Sequence, residues 1–152
     1  MNTEADKPSM ETDSKLAGIS GWLVLPAIGL VASPIILVVG LVIGSALYSD
    51  VAATGFGGLY VVEMIIESGL VIFVIYAASR FFRKKQNAPL VIIILLVSAI
   101  AANGLVLLME LGLGAEDFII VTGRMLLRSI ISAAIWIPYF KISRRVKATF
   151  IN

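Results

Sequence analysis

LYVVEMIIESGLVIFVIYAASRFF, residues 59–82, is the stretch that decides the fold, and it carries charge only at Glu63, Glu67 and Arg80. Crossing a hydrocarbon core of roughly 30 Å takes about 20 apolar helical residues. Backbone groups in lipid must bond internally, so a run of this length is a helix. The whole chain shares this character: of its 152 residues 59% are hydrophobic and 14% charged, with a mean hydropathy of +1.01. These values lie far from those of soluble domains, and lipid is the solvent for most of the chain.

Working outward, residues 16–48 are apolar for 33 positions, about 50 Å if helical throughout, which exceeds the bilayer core. Pro26 and Pro34 each delete a backbone donor and disfavour helical geometry at the preceding residue. A short N-terminal interfacial helix is therefore expected over residues 16–25, with Trp22 at headgroup level and the first span at about 27–48. A small-residue turn, SDVAATGFGG, leads into the second span at about 59–82. Pro89 suits the first turn of a third span at about 89–111, and Asp117 is placed to cap a fourth at about 118–140.

The expected fold is all-α, an integral membrane four-helix bundle occupying residues 16–141. Residues 1–15 are polar and cannot bury enough surface to order themselves, which predicts a disordered cytoplasmic tail. They lack the basic, apolar and small-residue pattern of a removable signal peptide. Residues 142–152 form a basic cytoplasmic tail.

Orientation follows from the basic residues. Lys7, Lys15, Arg80, Arg83, Lys84, Lys85, Lys141, Arg144, Arg145 and Lys147 fall on one side, whereas the two opposite loops hold Asp50, Glu116 and Asp117 and no Lys or Arg. The positive-inside rule then puts both termini in the cytoplasm.

The chain has neither cysteine nor histidine, which removes disulfides, thiolate and imidazole metal ligands, a haem axial histidine and the Ser-His-Asp triad. No metal or cofactor is expected. A net charge of +2 that serves topology gives no nucleic-acid-binding face.

At the C-terminal end, Ile135-Trp136-Ile137-Pro138-Tyr139-Phe140 followed by Ser143-Arg144-Arg145-Val146-Lys147-Ala148-Thr149-Phe150 resembles the ending of the YdgK-like family of bacterial inner-membrane proteins, domain of unknown function 2569. The opening Gly18-Ile19-Ser20-Gly21-Trp22-Leu23 is similar to that family too. The resemblance implies four spans and the bacterial inner membrane, and it supplies no activity. Physically the ending reads as an anchor, with Trp136 and Tyr139 at the interface and Arg144, Arg145 and Lys147 against anionic headgroups.

Inside the spans lies a charged cluster: Glu63 and Glu67 on the second helix, Asn103 and Glu110 on the third, Arg124 and Arg128 on the fourth. The two glutamates and the two arginines are each spaced i, i+4 and share a helix face. An offset of 61 residues superposes Glu63 on Arg124, Glu67 on Arg128 and Arg80 on Lys141. Helices two and four run in the same direction, so depths match. Lone charges at mid-membrane cost between about 3 and 10 kcal/mol or more, which predicts pairing of Glu63 with Arg124 and Glu67 with Arg128. Such pairs would fix helix register; the functional alternative is a substrate or proton site open to the periplasm.

Gly40-Leu41-Val42-Ile43-Gly44 on the first helix has the spacing that lets membrane helices approach closely, either within the chain or in a homodimer. With no phosphate-cradling loop and no extramembrane domain, an enzyme is not expected. The expected role is that of a non-catalytic accessory or interaction membrane protein, its partners the lipid bilayer and another membrane protein or a second copy. The alternative is a small transporter or channel using the charged cluster.

Overall fold

A computed structural model describes residues 21–150. After a 3-10 turn at Gly21–Leu23 come α1 (Val24–Ala53), α2 (Gly57–Phe82), α3 (Ala88–Leu113), α4 (Glu116–Ile142) and a short α5 (Arg144–Thr149). The first four helices are each long and apolar enough to cross a membrane. Their outward surfaces are large and apolar, with Ile36 68% and Ile72 70% exposed, as lipid requires.

The first half of the expected interfacial helix, 16–20, lies outside the described residues. Within them α1 starts at Val24 and continues to Ala53, without a break at either proline. Pro26 falls in the first turn, whose amides have no intrahelical acceptor in any case. Pro34 lies inside the helix, where it removes one backbone bond. The expected disordered tail, 1–15, lies outside the described residues.

Short connections make consecutive helices antiparallel neighbours: α1 packs on α2, α2 on α3 and α3 on α4. Neither α1 nor α2 makes extended contact with α4 among the described residues. Gly114 closes α3 in the left-handed region at φ 69°, a conformation that costs a side-chain-bearing residue energy. The chain then turns into α4, whose cap is Ala115; Glu116 and Asp117 occupy the first turn. Asp117 is thus not the cap, but its charge still complements the helix start.

The apolar core gathers at the basic end, where Leu23, Ala77, Phe81, Ala88, Ile92 and Phe140 are buried. Two described residues after Ile142 join it. Val146 and Phe150 are buried in the same cluster, and the Phe150 ring lies 5.2 Å from that of Phe81. The basic tail is therefore docked onto the bundle over its described part. Trp136 and Tyr139 pack partly buried against this core, their rings 5.7 Å apart, while Trp22 is exposed. Arg144 and Lys147 are exposed and Arg145 half-buried.

Candidate functional site

The half of the bundle away from the basic end holds the buried polar groups of α3 and α4. On α3, Glu110 is 1% exposed and accepts a hydrogen bond at 2.6 Å from the Thr122 hydroxyl on α4. Seven residues back along α3, the Asn103 amide donates to Ser129 Oγ at 3.3 Å, and to the Ala99 carbonyl at 2.7 Å. Ser129 is seven residues beyond Thr122, so both pairs obey one antiparallel register. Thr122, Ala133 and Phe140 are the buried residues of α4, spaced by 11 and 7, and they define the side that meets α3.

Glu110 Oε1 is satisfied by Thr122, but its buried Oε2 has no hydrogen-bond partner. Glu110 lines a narrow cleft with Glu63 and Tyr60 from α2, Val51 from α1, and Phe118 from α4. The Phe56 and Phe118 rings, 6.1 Å apart and edge-to-face, also line it. Glu67 is half-buried one turn further along α2. Three acids thus occupy one half of the bundle interior.

Arg124 and Arg128 are elsewhere. Both are exposed, and at about 100° per residue they stand about 200° and 240° around α4 from Thr122, on the side away from α3. Neither makes a hydrogen bond or ion pair to any described residue, and α4 makes no extended contact with α2 among the described residues. The expected pairs Glu63 with Arg124 and Glu67 with Arg128 are not brought together within the chain. Equal depth held no information about azimuth, and a short α3–α4 connection commits α4 to α3.

On α1, Gly44 is buried against α2: a Cβ there would stand 2.7 Å from the Tyr60 hydroxyl. Gly40 faces open space. The small-residue motif is therefore divided, with one glycine spent on internal packing. Thr122, Ser129 and Tyr60 escaped the reading of the sequence. The signal for the first two was present, since Thr122 and Ser129 repeat the seven-residue spacing of Asn103 and Glu110.

A family model described as Protein of unknown function (DUF2569) matches residues 16–151. The chain belongs to the DUF2569 family. It is 32% identical over 149 residues, 88% of this chain and 94% of the relative, to Inner membrane protein YdgK of Escherichia coli (strain K12). Four span-capable helices together with this relative place the DUF2569 chain in the bacterial inner membrane. No solved structure matches it.

Proposed function

We propose that this DUF2569 chain is a non-catalytic accessory protein of the inner membrane that works by binding another membrane protein through a helix face. The observation that carries this reading is the position of Arg124 and Arg128, exposed in the middle of α4 with no ion-pair partner among the described residues. A guanidinium facing hydrocarbon costs about 3 kcal/mol or more. A surface built at that cost is relieved when another chain covers it.

The test is a photo-crosslinking side chain at Leu127, 57% exposed between the two arginines, in native membranes, with Ile72 on α2 as a lipid-facing control. A protein adduct at 127 and lipid alone at 72 is the expected result. Lipid adducts alone at 127 would reject the reading.

A second reading, a small transporter, is supported by the orphaned Glu110 Oε2 in the acid-lined cleft with Glu63. A carboxylate kept buried and incompletely bonded inside a membrane is a feature of ion and proton pathways. Flux in proteoliposomes that is lost in Glu110→Gln would support it, and flux unchanged by that substitution would remove it.

A further inference from the structure

Among the described residues Glu110 is the one charged side chain that is fully buried, at 1% exposed. Its Oε1 is turned to Thr122 on α4, which leaves Oε2, with no hydrogen-bond partner among the described residues, to the cleft. Glu63 and Tyr60 of α2 line the same cleft, and no Lys or Arg does. A carboxylate this deep is tolerated when a counter-charge or hydrogen bonds reach both oxygens. The chain supplies one hydrogen bond and no base, since Arg124 and Arg128 are exposed on the far side of α4.

The donor atoms decide what fits. Two carboxyls and a phenol present oxygen alone, the set that suits hard cations rather than soft transition metals. Among the described residues no three acids come together to hold a metal, which leaves out a caged divalent ion and favours a singly charged one. The cleft is too narrow for a water molecule, so the ion is held by direct contact with oxygen, without a hydration shell. Glu67, half-buried one turn along α2, adds negative potential without lining the cleft.

The approach carries the same sign. Val51 lies in the last turn of α1, Phe56 in the α1–α2 turn and Phe118 in the first turn of α4, so the cleft sits at the end of the bundle opposite the basic cluster. Asp50, Glu116 and Asp117 are exposed at that end, where no Lys or Arg occurs in either turn. Such a field concentrates cations.

Resting on the ion site of the transport reading, and not on flux through it, we propose that the cleft binds a dehydrated alkali-metal cation of sodium size between Glu110 and Glu63, with the Tyr60 phenol oxygen beside them. An ion there bridges α3 to α2, so its binding stabilises the bundle and is read in Tm without any transport.

The full chain, purified in a nonionic detergent, is melted in sodium chloride and in choline chloride of equal ionic strength. Sodium is expected to raise Tm saturably, by about 3 °C or more. The rise should be lost in Glu110→Gln, and its midpoint should move to about tenfold higher sodium or more in Glu63→Gln. Equal Tm of the unaltered chain in the two salts would overturn the proposal whether or not the variants fold, and so would a sodium effect undiminished in Glu110→Gln. Flux in proteoliposomes separates the two readings. Sodium stabilisation without flux keeps the site and removes the transporter; flux lost in Glu110→Gln with no sodium effect on Tm keeps the transporter and removes the sodium site.

Discussion

Thr122 donates its hydroxyl proton to Glu110 Oε1 at 2.6 Å across the α3–α4 seam, while Oε2 of the same carboxyl has no partner. This bond joins the two helices in the polar half of the bundle, and together with the Asn103–Ser129 bond it sets their register. Removing it should leave Glu110 wholly unsatisfied. Thr122→Val is expected to cost about 1–2 kcal/mol in unfolding experiments in micelles. In a Glu110→Met background, the same change should cost nothing beyond about 0.5 kcal/mol.

Gly44 and Tyr60 make a second checkable contact. A methyl at position 44 would stand 2.7 Å from the Tyr60 hydroxyl, so Gly44→Ala should destabilise by about 1–3 kcal/mol. Tyr60→Phe removes the clashing oxygen and should restore most of that loss. Gly40→Ala, in open space, should stay within about 0.5 kcal/mol. Equal effects at the two glycines would refute the packing described for α1.

Phe150 tests whether the C-terminal segment is structural. It is 4% exposed and packs on Phe81, so Phe150→Ala should lower stability by about 3 kcal/mol. A surface anchor alone would show no loss in micelles, where no anionic headgroup is present.

The spans were legible because each apolar run has the length a bilayer demands, and because Pro89 and the basic clusters mark their ends. Pro26 does not interrupt the described part of the first helix, because its position in the first turn makes it harmless. Docking of residues 144–150 was hidden because Val146 and Phe150 are few apolar residues among charges, and only the three-dimensional core shows the place they fill. In the polar half, Glu63, Glu67, Asn103 and Glu110 were recognisable as charged or amide groups in apolar runs. Their neutral partners Thr122 and Ser129 were not, since hydroxyls in membrane helices commonly bond their own backbone, as Ser129 also does to the Met125 carbonyl.

Depth along a helix can be counted from sequence, but which helices touch depends on azimuth and connection length. Arg124 and Arg128 illustrate this: the count placed them level with Glu63 and Glu67, and the packing of α4 on α3 turned them outward.

The most direct measurement is a double-mutant cycle of Glu67→Gln and Arg128→Met on the dispersed, monomeric chain in detergent. With Arg128 facing away from the chain's own acids, the two effects should add to within about 0.5 kcal/mol. A coupling of about 2 kcal/mol or more in the monomer would mean that Glu67 and Arg128 pair within one chain, and would contradict the outward arginine face on which the account rests.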